Sequence, residues 1–320
     1  MIKENEFKAT KLVTKIIHLA DEELIYSDNL FNIGYGADKN FLFGTGVSIT
    51  SILMNNKDMN FHFHIFTDFF NDEQKILFLQ LAKLNNTIIT IYLIKDENLK
   101  KLPTNHCWSY AIYFRLIIAD YLNSKIKNIL YLDSDIFCKG SIYNLKKLNF
   151  KNDIIIYAVH DREGKNKSKL KINTDKYFNS GFLYIDLTKY KDNNITTKVF
   201  KKLNENNKLI YPDQDALNIY LNKKVHLIDA KYNTFFPIDA LLKAKSRNNY
   251  SIPSNSVLIH FVGLSKPWHD WTSDYVVSEI FRLAKLKSPW INHKLIKPKT
   301  YKEISRKSSH LKYQNKFFKS

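Results

Sequence analysis

The sequence predicts an α/β fold built on a sheet that is parallel in its amino-terminal half, with a basic carboxyl-terminal region appended. Three observations predict it. Short runs rich in β-branched and aromatic residues alternate with longer segments of helical periodicity, as strand-helix-strand units require. One apolar run, residues 129–137, is too short for a helix and carries two carboxylates, Asp133 and Asp135, near its end. Open α/β sheets keep their ligands at such strand ends. The cations, finally, crowd one terminus: residues 285–320 hold eleven Lys/Arg against Glu303 alone, in a chain of net charge +18.

In chain order, residues 1–30 read as a helical or irregular extension. Residues 31–36 form a first strand ended by Gly34 and Gly36, and 41–54 a helix despite Gly44 and Gly46. Aromatic content makes 61–66 a strand. Asn71 is placed to cap the next helix, with Gln74 at the capping-box position and Ile76, Leu77, Leu79, Leu81 and Leu84 as its apolar side. Residues 87–94 are rich in β-branched residues and form another strand. The clearest helix is 108–122, where Tyr110, Tyr113, Phe114, Ile117, Ile118 and Tyr121 recur at helical spacing. Arg115 lies beside that stripe, and spacing alone makes it a solvated arginine. Strands at 154–159, 182–185 and 257–261 follow.

Composition bounds the function. Hydrophobic residues at 44% and aromatics at 14% supply a sizeable core and exclude disorder for the whole chain. Two cysteines, Cys107 and Cys138, without a C-x-x-C spacing, argue against a disulfide scaffold and against zinc. No apolar signal core opens the sequence, and no run approaches the ~18 apolar residues of a spanning helix. A cytoplasmic protein is the expectation.

Two carboxylates brought together repel unless a proton or cation sits between them. Their hard oxygens suit Mg²⁺ or Mn²⁺, which also bind diphosphate oxygens. Taken alone, Asp133-Ser134-Asp135 describes a polar turn equally well. Tyr211-Pro212-Asp213-Gln214-Asp215 reads as a helix start, which explains Pro212 and one aspartate but not the glutamine between two carboxylates. His260 sits on an apolar strand, where a lone histidine is more often a core residue than a ligand. The Gly263 and Lys266 that follow offer close backbone approach and a point charge for phosphate.

Taken together and in order, Asp133-Ser134-Asp135, Asn179-Ser180-Gly181-Phe182, Pro212-Asp213-Gln214-Asp215 and His260-Phe261-Val262-Gly263-Leu264-Ser265-Lys266-Pro267-Trp268 resemble glycosyltransferase family 8, specifically its lipopolysaccharide core glucosyl- and galactosyltransferases. The likeness covers roughly residues 30–290. It implies a GT-A fold, a Rossmann-like mixed sheet flanked by helices, with a catalytic domain over 31–284. Within that domain 31–150 would serve the nucleotide sugar and 151–284 the acceptor. It also implies retaining transfer from a UDP-hexose assisted by Mn²⁺ or Mg²⁺. By the same resemblance Asp133, Asp135 and His260 are metal ligands. Asp38 and Asn40 hold the uridine and ribose, Ser134 and Arg115 belong to the donor site, and Gly263 and Lys266 contact the diphosphate. Asp161, Asn179, Asp213 and Gln214 surround the transferred sugar, with Asp213 and Gln214 in the catalytic role.

The tail fits that reading. Trp290, Tyr301, Tyr313, Phe317 and Phe318 are interleaved with its cations, as suits a membrane interface bearing anionic lipid. The expected partners are a UDP-hexose, a lipid A-core oligosaccharide and the cytoplasmic face of the inner membrane, where the enzyme would be peripheral. Charge alone also fits nucleic acid, but that leaves the aspartate pair unexplained, and no nucleic-acid partner is expected. A phosphohydrolase would need a further acidic cluster, and a glycogenin-like protein has no need for the tail.

Overall fold

The computed structural model describes residues 7–21, 29–95, 97–104, 109–161, 172, 174–205, 209–243 and 251–318. Cys107 and Trp108 lie outside them. The strands are β1 (Val13–Leu19), β2 (Phe31–Ala37), β3 (Phe61–Thr67), β4 (Ile88–Ile94), β5 (Asn128–Leu132), β6 (Ile136–Cys138), β7 (Ile156–His160), β8 (Phe178–Asp186), β9 (Val225–Ile228), β10 (Thr234–Phe235) and β11 (Leu258–His260). The helices are α1 (Ala9–Leu12), α2 (Leu42–Asn55), α3 (Asp72–Leu84), α4 (Phe114–Leu122), α5 (Tyr143–Lys146), α6 (Leu187–Asp192), α7 (Ile195–Asn204), α8 (Pro212–Leu221), α9 (Glu279–Leu286) and α10 (Tyr301–Phe318).

Eight strands form one sheet in the order β1-β4-β3-β2-β5-β8-β7-β9. Its central run β4, β3, β2 and β5 is parallel, as expected of the amino-terminal half, and β8 reverses direction against β5. A small second sheet has the order β10-β11-β6. Strand β3 shows why helices cover both faces. Phe61, Phe63 and Ile65 enter the core with α2, α3 and α9, while Phe66 enters the core with α1, α4, α7 and α8.

Three elements differ from expectation. The amino-terminal extension contains β1, an antiparallel edge strand on β4. Only Leu19 of it is fully buried, so no apolar run announced it, and its Lys15 is typical of a guarded edge. In α3 the buried face is Phe78, Leu81 and Ala82, leaving Ile76 and Leu84 58% and 72% exposed. Asn71 caps that helix through Gln74 N–H at 3.0 Å, but Gln74 Oε1 has no partner, so only half of the capping box forms. Helix α4 is preceded by a 3₁₀ turn over Tyr110–Tyr113 and is buried almost all round, Arg115 included.

The carboxyl-terminal region is not a free tail. Trp290 is fully buried against Phe78 and lies over Gly46 of α2, where a Cβ would stand 2.3 Å from its ring. Trp268 occupies the same relation to Gly44 at 2.8 Å. Among the described residues no helix is long and apolar enough to cross a membrane.

On the other face, the His62 and His64 ring centroids lie 3.9 Å apart with the rings tilted by 32°. His62 bonds Thr90, while His64 bonds Tyr92 and Asn32. Burial, aided by His18, lowers the His62 pKa to about 4, and burial holds His64 well below its ordinary value. Depressed histidine values favour the neutral folded form, so this stability is complete above about pH 6.5 and is lost as pH falls toward 4. Each histidine should add a slope approaching 1.4 kcal/mol per pH unit, to order of magnitude. Urea midpoints measured from pH 7 to 4.5 should fall, less steeply in His62→Gln. An identical slope in the variant would contradict this.

Candidate active site

The turn between β5 and β6 carries the chain from the large sheet into the small one, and Asp133, Ser134 and Asp135 occupy it. Asp133 N–H donates to Gly181 O at 2.8 Å, and Phe261 N–H to Asp135 O at 3.0 Å, which fixes both ends. Register pairs His260 of β11 with Ile136, so the imidazole arrives beside the carboxylates. Ligand atoms of Asp133, Asp135 and His260 all lie within 4.8 Å of one another. His260 Nδ1 faces Asn233 Oδ1 at 3.0 Å. The tautomer that donates there leaves Nε2 as a lone pair directed at Asp135 Oδ1, 3.1 Å away, and at Asp133 Oδ2, 3.8 Å away.

Asp135 Oδ1 is buried with no hydrogen-bond partner. An orphaned carboxylate oxygen facing an imidazole lone pair is a place that a divalent cation would satisfy. The residues therefore fit a metal ion.

These groups stand on the floor of a cavity of about 560 Å³. Of the residues singled out from sequence, Asp38, Arg115, Asp133, Ser134, Asp135, Asp161, Asn179, Asp213, Gln214, His260, Gly263 and Lys266 all line it. Asn40 does not: its side chain is exposed, and its backbone N–H instead holds Asp38 Oδ1 at 2.9 Å. Ser109 donates to the other oxygen of Asp38 at 2.7 Å. Ser134 accepts from Thr45 at 2.9 Å, anchoring the turn to α2. A larger hollow of about 820 Å³ between α2, α9 and α10 is chiefly apolar and contains none of these groups.

Arg115 is not the solvated arginine that its spacing alone suggests. It is 5% exposed, donates to Asp133 Oδ1 at 2.9 Å, and stands 3.3 Å from Asp213 Oδ2. Its guanidinium lies over the Tyr131 ring at 4.8 Å. Burial opposes its charge, but Asp133, Tyr131 and Asp213 more than offset that, and its pKa stands above its already high value. Burial likewise pushes the Asp213 carboxyl up, with Arg115 pulling against it. Lys266 donates to Asp135 Oδ2 at 2.5 Å and to Phe261 O at 2.8 Å. Burial would raise Asp135, yet the Lys266 ammonium holds it below the usual carboxylate range.

Helix α8 divides its acids. Asp215 accepts from the Ile210 and Tyr211 N–H groups at 2.9 and 3.0 Å, so it is the aspartate that serves the helix start. Asp213 and Gln214 face the cavity. Gln214 donates to Asp161 at 2.9 Å and to the Tyr177 hydroxyl at 3.0 Å. Its Oε1 accepts from Asn179 and from Ser180 N–H, both at 3.0 Å. Every polar site of that amide is engaged, so its orientation is fixed.

Sequence reasoning assigned no role to Tyr131, Ser180, Gly181 or Asn233. Tyr131 donates to Asp133 at 2.7 Å and Ser180 to Asp213 at 3.0 Å. Tyr131 was findable, because strand residues two apart share a face. Asn233 donates to Asn179 at 2.9 Å while accepting from His260, and nothing in its local sequence marks it. Gly263 has φ +91°, a conformation L side chains rarely adopt, which accounts for a glycine there.

The geometry can be set beside known proteins. A model of glycosyl transferase family 8 matches residues 32–272, and one of that family's C-terminal region matches 275–320. The lipopolysaccharide glucosyltransferase WaaO of Escherichia coli (strain K12) is 38% identical over 98% of this chain and 94% of its own length. The lipopolysaccharide 1,3-galactosyltransferase of Salmonella typhimurium (strain LT2) is 41% identical over 88% of this chain and 85% of its own. An active-site mutant of LgtC superimposes with a TM-score of 0.68 at 22% identity, covering 81% of this chain and 96% of that one. That last likeness speaks for the fold alone, and it bears out the GT-A arrangement expected from sequence. Since the family model spans most of the sequence and these relatives match nearly end to end, the chain belongs to glycosyl transferase family 8 and is a glycosyltransferase.

Proposed function

We propose that this protein transfers glucose or galactose from a UDP-hexose to a lipopolysaccharide core oligosaccharide with retention of configuration. The observation that carries the reading is the cluster of Asp133, Asp135 and His260 on the cavity floor, with the Arg115 and Lys266 cations against its carboxylates. The names of the relatives supply the substrate class. Residues 31–150 would carry most of the nucleotide side and 151–284 the acceptor side. Bound there, Mn²⁺ or Mg²⁺ supplies Lewis-acid stabilisation of the departing diphosphate.

The chain's own groups do the rest. Lys266 and Arg115 place fixed positive charge where negative charge builds on UDP, and each such group is typically worth ~3 kcal/mol of barrier. Asp38 is held by Ser109 and Asn40 N–H in a pose that leaves it on the cavity wall for the nucleoside. Gln214, with its amide fully engaged, orients rather than attacks. Asp213 is tied to Arg115 and Ser180. Both facts support same-face attack, in which the acceptor hydroxyl enters as UDP leaves, over a double displacement through an enzyme nucleophile.

The membrane reading rests on α10. Tyr301, Ile304 and Leu311 are 86%, 54% and 43% exposed, and Lys302, Lys312 and Lys316 are exposed beside them. Each basic residue near an anionic surface is worth about 1 kcal/mol. This face, not a detachable tail, is the part offered to lipid, because Trp290, His310 and Tyr313 are buried in the body of the protein.

The test is UDP release by purified protein from UDP-glucose and UDP-galactose, with lipopolysaccharide core as acceptor. One donor should turn over in Mn²⁺ or Mg²⁺, and EDTA should stop it. Turnover undiminished by EDTA, or use of neither donor, would refute the reading.

A further inference from the structure

Helix α10 does more than face outward, because its inner side grips the segment that carries Lys266. His310 is fully buried, and its Nε2 lies 2.9 Å from Asp239 Oδ1 and 3.4 Å from Ser265 Oγ. Its Nδ1 lies 2.9 Å from the Tyr275 hydroxyl. Two further contacts from the same helix fall on the same segment. Lys307 donates to Asp270 at 2.7 Å, and Gln314 donates to Trp271 O at 3.2 Å. Trp271 Nε1 in turn donates to Ser265 Oγ at 3.3 Å.

Ser265 immediately precedes Lys266, whose ammonium reaches Asp135. Gly263, with its left-handed backbone and no neighbour within 4 Å of a Cβ, turns the chain at the start of this segment. Something must hold its other end. Asp239 sits on the 3₁₀ segment Ile238–Lys243, directly after Pro237, and Pro237 and Phe235 line the same cavity. His310 thus bridges two walls of the cavity from outside it. Burial would raise the Asp239 carboxyl, but His310, Ser265 and Arg306 hold it below its ordinary value, as expected of a carboxylate engaged in that bridge.

We infer that His310 is a positioning residue for the donor site: by pinning Ser265 against Asp239 it fixes where the Lys266 ammonium stands. It touches neither cavity nor metal ligands, and acts through Ser265. The inference rests on the proposed use of a nucleoside-diphosphate sugar, with Lys266 facing the diphosphate. Outer partners of this kind typically alter affinity or activity about 10-fold or more when removed.

The experiment compares wild type, His310→Ala, His310→Gln and Ser265→Ala, using whichever UDP-hexose the wild type accepts. His310→Ala should raise the donor KM about 10-fold, leave the acceptor KM unchanged, and be largely rescued in His310→Gln, which retains a side-chain donor. In a Lys266→Ala background the same substitution should change the donor KM no further. Hydrogen exchange of residues 262–272 should speed up in His310→Ala while the central strands keep their protection. Ser265→Ala should reproduce the donor effect should His310→Ala fold poorly. Unchanged donor KM in the folded variants would overturn the inference, as would an undiminished effect in the Lys266→Ala background. The exchange measurement needs no substrate. Faster exchange with no donor use by wild type would therefore refute the function while upholding the grip.

Discussion

Replacing Gly181 by alanine is expected to lower the transfer rate about 100-fold or more, since misplacing reacting groups by 1 Å can cost that much. A Cβ at this position would stand 2.5 Å from His260 Cε1, 2.6 Å from Asp133 Oδ2 and 3.0 Å from Asn179 Oδ1. None of these neighbours is a loose chain end. Asn233 holds the imidazole, Tyr131 and Arg115 hold Asp133, and Asn179 is bonded to Asn233 and Gly181 N–H. The methyl must therefore part His260 from Asp133, opening the ligand cluster. Overpacking of this kind costs typically 1–3 kcal/mol, to order of magnitude, so the variant should still fold. Steady-state rates and calorimetric titration with Mn²⁺ check it together. A variant with wild-type rate and wild-type Mn²⁺ affinity would mean the cluster tolerates the methyl, and the role given to it would fail.

Arg115→Met should cost more in stability than any surface change. The guanidinium is the counter-charge for Asp133 and for the buried Asp213, and removing one partner of a buried pair typically costs about 3–5 kcal/mol. The direction of its pH dependence follows from Asp213. Burial already raises that carboxyl, and without Arg115 it rises further. A group whose folded pKa is raised stabilises the fold most when protonated, and that contribution is lost as pH rises through the folded value. The gap between variant and wild type should therefore narrow as pH is lowered toward 5. The histidine contributions common to both proteins cancel in the comparison. Denaturant midpoints at pH 8 and pH 5 measure it, and a gap that stays constant or widens on acidification would contradict the account. Transfer should fall in the same variant, because Asp133 loses the bond that orients it.

The two variants mark where sequence reading succeeds and where it stops. The alternation of strands and helices was legible because each element carries its own periodicity. Asp133 and Asp135 were legible because a charged pair at the end of an apolar run is conspicuous. Arg115 was read from its spacing as solvated, and the resemblance had to overrule that. A helix buried almost all round has little solvent face, so the stripe beside which Arg115 lies does not mark a boundary. β1 escaped because an edge strand needs little apolar surface. Ile76 and Leu84 misled because hydrophobic type was counted before helical phase was checked. Asn233 and His310 act through partners far away in sequence, and no local pattern encodes such pairings. Asn40 lies outside the cavity lining, and its backbone N–H holds the Asp38 carboxylate, a contact that its residue type alone does not announce.

Helix α2 carries a further consequence. Its two glycine notches are filled by indoles from the last quarter of the chain, so this early helix stays unsealed until synthesis is nearly complete. Pairings this distant in sequence slow folding and make it depend on the whole polypeptide. A ribosome product cut short of Trp290 would leave α2 open and α10 missing, and degradation, not partial function, would be its fate.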